Sequence, residues 1–110
     1  MTLDSGKFDG IADETLNRLL DVIDDKLGDQ FEVDMENGML TIETDTGGQY
    51  IINKHGPNRQ IWLSSPISGA SHYEFDENAR AWVNTRGGES LTLKLSEELS
   101  GLANVAFSLD

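Results

Sequence analysis

Apolar side chains recur at steps of three and four residues over the first quarter of the chain. They are Phe8, Ile11, Ala12, Leu16, Leu19, Val22, Ile23 and Leu27. This spacing places them on one face of an α-helix, so it predicts a helix from Ser5 to Gly28. Asp4 or Ser5 can cap its start, and Gly28 can end it in the left-handed conformation. The opposite face is acidic, with Asp13, Asn17, Asp21, Asp24 and Asp25.

From Gln30 onward the apolar positions alternate with polar ones, as they do in strands that bury one face. Phe31, Val33 and Met35 alternate with acidic residues, and Asn37-Gly38 is a hairpin-turn sequence. The further predicted strands are Met39 to Ile42, Gln49 to Asn53, Gln60 to Ser64, His72 to Phe75 and Ala81 to Asn84. Short turns between consecutive strands predict an antiparallel meander.

Leucines at four-residue steps predict a second helix from about Glu89 to Leu102. The apolar tail from Val105 to Leu109 is expected to pack back on the fold. The predicted class is α+β, as one domain over residues 1–110. Its architecture is a two-layer α/β sandwich with both helices on one face of the antiparallel sheet, in the order α-β-β-β-β-β-β-α.

Charge and cysteine content exclude several kinds of function. Eight basic and 20 acidic residues give a net charge of −12, which disfavours nucleic acid and anionic membranes as partners. From Met1 to Thr46 the chain carries 13 acidic and three basic residues, a net charge of −10. The absence of cysteine excludes disulfides and thiolate metal sites. The start of the chain lacks the apolar segment of a secretory signal, so a cytoplasmic protein is expected.

Asp21, Asp24 and Asp25 lie at helical neighbour spacing, where like charges destabilise a helix by roughly 0.2–0.5 kcal/mol per pair. Such a face can serve solubility alone, or it can bind cations. Carboxylates suit iron, manganese, calcium or magnesium, and ligands on a convex helix leave most coordination positions to water. Binding there would be weak and poorly selective. Both interpretations remain open on spacing alone.

Nucleophilic catalysis has little support, because His55 and His72 are the only histidines and no nucleophile motif occurs. Trp62 offers a different kind of site. If Ile61 and Leu63 pack beneath the helices, strand alternation exposes Trp62 on the other face. An exposed tryptophan beside Asn53 and Gln60 would be a binding anchor.

Three segments resemble the signature of the frataxin family. They are Ile52 to Lys54, Pro57 to Pro66 and Ser68-Gly69. The resemblance extends to Ala12-Asp13-Glu14-Thr15-Leu16, Gly38-Met39-Leu40-Thr41-Ile42, Trp82-Val83 and Gly88-Glu89-Ser90-Leu91. It covers roughly Phe8 to Leu102 and implies the same helix, sheet, helix order. The family includes bacterial and mitochondrial proteins, so a processed form in the mitochondrial matrix is the alternative location.

The resemblance implies a protein that binds ferrous or ferric iron, or another divalent cation, weakly at its surface and regulates iron-sulfur cluster assembly. Its partners would be a cysteine desulfurase and a scaffold protein. The implied metal ligands, here named the acidic ridge, are Asp9, Asp13, Asp21, Asp24, Asp25, Asp29, Glu32 and Asp34. The implied partner contacts are Asn53, Lys54, Gln60, Trp62 and His72.

Several alternatives remain open under the resemblance. A ferroxidase or iron-storage protein is the enzymatic one, although it requires a protected dinuclear site such as paired Glu-x-x-His motifs provide. A monomer is expected, with a metal-dependent oligomer as the alternative.

The chain departs from the family pattern at three positions. His55 stands where many family members have glutamine, His72 stands where a basic residue is common, and Asn17 replaces one acidic helix position.

Overall fold

The computed structural model describes residues 4–45 and 47–109, and it confirms the predicted order of elements. Helix α1 (Ser5–Leu27) precedes six strands, and helix α2 (Leu91–Ala103) follows them. The strands are β1 (Glu32–Glu36), β2 (Met39–Glu43), β3 (Gln49–His55), β4 (Gln60–Ser65), β5 (Gly69–Asp76) and β6 (Ala81–Asn84). Each strand pairs antiparallel with the next, so the sheet order is the chain order.

Helix α1 begins and ends where the sequence predicts, but the conformation at Gly28 differs. The Asp4 carboxylate accepts a hydrogen bond of 2.8 Å from the backbone N–H of Lys7, which caps the first turn. Gly28 follows the helix with φ −62°, so it is right-handed and not left-handed as predicted. A Cβ at Gly28 would collide with the carbonyl oxygen of Asp24, so glycine is required there for space. Within the described residues, neither helix is long and apolar enough to cross a membrane.

Helix α2 ends where Asn104 adopts φ 57°, the left-handed conformation that commonly terminates helices. Gly101 therefore lies inside the helix. The C-terminal segment 105–109 packs back on the fold without forming a strand. Leu109 is 2% exposed, its N–H donates to Ser96 Oγ at 2.9 Å, and its carbonyl accepts from Arg18 Nη2 at 2.8 Å.

Both helices cover the same face of the sheet, as predicted. The fully buried side chains come from the apolar stripe of α1, from alternate positions of the strands and from the leucines of α2. In β4, Ile61 and Leu63 are 0% and 2% exposed beneath the helices. The other side, named the outer sheet face, carries the remaining strand positions, including Trp62. The exposed side of α1 and the outer sheet face around Trp62 therefore lie on opposite layers of the molecule.

Candidate metal and partner surfaces

The five aspartates of the acidic ridge on helix α1 are all exposed to solvent. They are Asp9, Asp13, Asp21, Asp24 and Asp25. The apolar stripe of the helix is anchored on the sheet, and this anchoring turns their side chains outward. Asp24 and Asp25 lie in the last turn, where the negative end of the helix dipole also disfavours a carboxylate. A cation would relieve both sources of repulsion.

The remaining ridge carboxylates lie beside the C-terminal end of α1. Asp29 is in the connection to β1, and Glu32 and Asp34 project from that edge strand. A shallow depression is lined by Asp24, Glu32 and Asp34 together with Gly28. A second depression brings Asp29 and Glu32 next to Glu43 and Asp45. The fold thus continues the acidic surface of the helix onto the edge of the sheet.

No group of three histidine, aspartate or glutamate side chains converges closely enough to hold a metal within residues 4–45 and 47–109. The ridge presents carboxylates side by side on an open surface. An ion bound there would take one or two protein oxygens and keep water at its other positions, as hard cations do at open carboxylate sites.

Lys54 forms ion pairs with two members of the acidic ridge. Its ammonium lies 2.8 Å from Asp13 Oδ1 and 3.5 Å from Asp9 Oδ1, while its stem passes over Gly38. The hydrogen bond to Asp13 raises the pKa of Lys54, and the charges of both aspartates add to this effect. Asp9 and Asp13 therefore already have a cation partner. No ion pair within 4.0 Å involves Asp21, Asp24 or Asp25 in the described part of the chain.

The structure separates Lys54 from the other implied partner contacts. Asn53, Gln60, Trp62 and His72 all lie on the outer sheet face, with Asn53 opposite Trp62 and Trp62 opposite His72 across the strands. Lys54 is on the helix side, because successive side chains of a strand point to opposite faces. The implied partner contacts therefore lie on two faces of the sheet.

Polar side chains surround Trp62. Its indole N–H donates to Gln60 Oε1 at 2.8 Å, and Gln60 Nε2 donates to Glu74 Oε2 at 3.4 Å. The amide of Asn53 is turned toward the carbonyl of Lys54 at 3.4 Å. Trp62 faces away from the helices as predicted, but it is half-buried.

Two histidine rings account for the partial burial of Trp62. The ring centroids of His55 and Trp62 are 3.8 Å apart with planes 11° apart, and those of Trp62 and His72 are 4.3 Å apart with planes 13° apart. The three side chains form what is named here the ring stack. His55 was not among the predicted contacts, although its position two residues after Asn53 places it on the same face.

Comparisons with known proteins agree on one family. A family model described as a Frataxin-like domain matches residues 1–105. Mitochondrial frataxin of Arabidopsis thaliana is 39% identical over 97% of this chain and 59% of its own length. The iron-sulfur cluster assembly protein CyaY of Pseudomonas fluorescens is 32% identical over 100% of this chain and 98% of its own length. This chain spans about three fifths of the length of the plant relative.

Solved structures extend the comparison to the fold. Frataxin from Psychromonas ingrahamii has a TM-score of 0.86 at 21% identity, covering 98% of this chain and 99% of that one. A trimeric frataxin from the yeast Saccharomyces cerevisiae, complexed with ferrous, has a TM-score of 0.78 at 36% identity and covers 86% of each chain. Two helices on one six-stranded antiparallel sheet are thus the arrangement that these proteins share.

Proposed function

Because the chain belongs to the frataxin family, we propose that it binds iron weakly at the acidic ridge and regulates iron-sulfur cluster assembly by docking on a cysteine desulfurase and scaffold complex. The name of the Pseudomonas fluorescens relative supports the assembly role. The ferrous complex of yeast frataxin supports iron as the ligand. The proposed location is the bacterial cytoplasm, or the mitochondrial matrix for a processed form, since both kinds of relative occur.

The observation that carries the iron proposal is the uncompensated acidic surface at the end of α1. Asp21, Asp24 and Asp25 are exposed and form no ion pair in the described part of the chain, and Glu32 and Asp34 adjoin them. Carboxylates repelling one another at this spacing cost stability and are relieved by a cation. Oxygen ligands suit iron in both oxidation states. An open surface of this kind would release its ion readily, as iron delivery or iron sensing requires.

The two surfaces would serve two partners. The acidic ridge complements a basic patch, which we assign to the desulfurase, and Asn53, Gln60 and Trp62 on the outer sheet face would contact the scaffold. Metal and desulfurase then compete for the same carboxylates. Docking should therefore weaken at saturating divalent metal and at ~0.5 M salt, which screens exposed charges beyond a few ångströms.

An amide NMR titration with anaerobic ferrous iron tests the metal site, with a diamagnetic divalent ion as the control. We expect selective line broadening at Asp21, Asp24, Asp25, Glu32 and Asp34, and weaker broadening at Asp9 and Asp13, where Lys54 competes. Asp25→Asn should reduce the broadening at its end of the helix. Glu97→Gln removes the same charge from an exposed position of α2 and should leave it unchanged.

Uniform or absent broadening at millimolar iron would remove iron binding from the proposal and leave the ridge as a protein-docking surface. The ferroxidase or iron-storage alternative makes a different prediction, namely oxygen consumption coupled to ferrous iron uptake. The trimeric yeast structure is the observation that favours considering it. Iron uptake measured with and without oxygen separates the two, because a binding protein without ferroxidase activity consumes no oxygen beyond the autoxidation of free iron.

A further inference from the structure

The ring stack is the only place in the described chain where histidines lie against an indole. Each face of Trp62 is covered by one imidazole, and the edge of the indole is held by Gln60. His55 Nδ1 is buried and forms no hydrogen bond within the described residues. A partner that binds at Trp62 therefore also lies next to both imidazoles.

Histidine is the side-chain type whose charge changes between about pH 5 and 8, and two of the three rings in the stack are histidines. Charged groups lie on either side of it. Glu74 of β5 is linked through Gln60, and Arg86 shares a depression with His72. Arg59, in the turn before β4, lines a depression together with Glu74, Asp76 and Glu77. Glu32, Asp34, Glu36 and Glu43 occupy the outer sheet face at its far edge, because Val33 and Met35 between them pack against the core, and Lys54 points to the helix side. None of these groups forms a salt bridge to either histidine in the described residues.

We propose that the ring stack is a proton-sensitive element that sets the charge of the outer sheet face at Trp62. With both histidines neutral, the stack presents three uncharged aromatic rings. On protonation, an imidazolium lies flat on the indole, where the electron-rich ring face attracts a cation. The surface around Trp62 then becomes positive on a protein whose net charge is −12.

Both histidines contribute to the proton response of the stack, because each ring lies within cation–π distance of the indole. Protonation of both places like charges on opposite faces of one ring, so the stack is expected to loosen as the second proton binds. Trp62 is the natural reporter, since its environment changes with either event. The use of this element in docking rests on the proposed function, whereas the proton response belongs to the fold alone.

The test is an NMR titration of the isolated protein from about pH 8 to pH 5, which follows the histidine Cε1 and tryptophan Nε1 signals. We expect the Trp62 Nε1 signal to move together with both histidine signals. The Trp82 signal should stay constant, because its N–H donates to Thr15 Oγ1 at 2.9 Å beneath helix α1. In the variant with His55→Gln and His72→Gln, the Trp62 signal should lose most of its pH dependence. Glu74→Gln, the control for the neighbouring carboxylate, should retain it.

A Trp62 signal that stays constant while both histidines titrate would overturn the proposal, as would an unchanged response in the double variant. Docking is measured separately, by binding to the desulfurase and scaffold complex at two pH values. Absence of docking at both values would count against the proposed function and leave the proton response of the stack intact. The two failures are therefore distinguishable.

Discussion

At the scale of single residues, Lys54 joins the start of α1 to the sheet. Replacing it with glutamine removes two ion pairs, to Asp13 at 2.8 Å and to Asp9 at 3.5 Å. We expect the free energy of unfolding in urea to fall by roughly 0.5–1 kcal/mol, because ion pairs with exposed partners contribute little. The same variant should gain iron-dependent broadening at Asp9 and Asp13, which lose their competing cation.

Lys26→Gln is the matched control for this prediction. It removes one positive charge from helix α1, which carries Asp9 and Asp13, but Lys26 forms no ion pair within the described residues. It should leave broadening at Asp9 and Asp13 unchanged. Equal gains in both variants would mean that Lys54 acts only through net charge.

Glu98 of α2 ties the helix to the sheet through three hydroxyl groups. Its carboxylate accepts from Tyr50 at 2.8 Å, from Ser65 at 2.6 Å and from Ser68 at 2.7 Å. Tyr50→Phe leaves the ring in place and removes one bond to a charged acceptor, so unfolding should become easier by about 1.5 kcal/mol. Ser68→Ala removes an exposed member of the same cluster, so it should lower the free energy of unfolding by less than Tyr50→Phe does. If Ser68→Ala is the more destabilising of the two in denaturant unfolding, the buried tyrosine hydroxyl contributes little to stability.

At the scale of elements, helix α1 carries a charge pattern that opposes its own stability. Asp25→Lys replaces a carboxylate that repels Asp21 and the helix C-terminus with a charge that both favour. We expect an increase of about 0.5–1 kcal/mol in the free energy of unfolding, measured in urea, together with weaker iron broadening at Asp24 and Glu32.

The same charge reversal on α2, Glu97→Lys, should leave iron binding unchanged, since Glu97 lies outside the ridge. A stabilised Asp25→Lys protein with normal iron binding would indicate that the acidic face serves solubility. A loss of both stability and iron binding would indicate instead that Asp25 makes a structural contact.

The C-terminal segment closes the helix layer by inserting Leu109 between α1 and α2. Leu109→Ala removes a side chain that is 2% exposed, and we expect a loss of about 2 kcal/mol, at the lower end for buried leucines because a chain end can relax. Val105→Ala is the control, since Val105 is 48% exposed and should change stability little. Similar losses in the two variants would mean that the segment contributes through its backbone bonds to Ser96 and Ser100.

Apolar spacing predicts the elements well because it is a local signal. The α1 stripe and the alternation in β1 to β6 correspond to the buried positions, and β5 alone begins earlier than predicted, at Gly69. Helix ends are harder to predict. Gly28 keeps a right-handed conformation in which a Cβ would collide with the Asp24 carbonyl oxygen, whereas Asn104 ends α2 in the left-handed conformation. The residue type after a helix therefore does not by itself fix the conformation at the helix end.

At the scale of the whole molecule, the sheet places the implied partner contacts on two faces, with Lys54 on the helix side and Asn53, Gln60, Trp62 and His72 on the outer sheet face. Alternation along β3 and β4 was sufficient to place Trp62 and Asn53 opposite the helices. The pairing of Lys54 with Asp13 was not predictable, because it depends on how α1 lies over β3. The ring stack depends in the same way on the register that aligns His55, Trp62 and His72 across three strands.

Proton binding at alkaline pH also reports on the whole fold. The pKa values of four groups are raised in the folded chain: burial is the main cause for Tyr50 and Tyr73, and hydrogen bonds to Asp13 and Glu89 are the main causes for Lys54 and Lys94. The ordinary values are 10.0 for tyrosine and 10.5 for lysine. Above pH 10 the unfolded chain therefore releases protons that the folded chain retains.

Stability must then fall as pH rises, since the free energy of unfolding decreases wherever the folded state binds more protons. The contribution of these groups is fully present below about pH 10 and is lost as the pH rises through their raised folded values. The growing negative charge of an already acidic chain acts in the same direction.

Urea unfolding at pH 8, 9, 10 and 11 should show a nearly constant free energy of unfolding up to about pH 9 and a decline above it. The Tyr50→Phe variant should be less stable at pH 8, but its free energy of unfolding should decline less steeply above pH 9. The variant lacks the Tyr50 hydroxyl, whose pKa is raised in the folded chain. A constant free energy to pH 11 would mean that Tyr50 and Tyr73 ionise in the folded chain as readily as in the unfolded one.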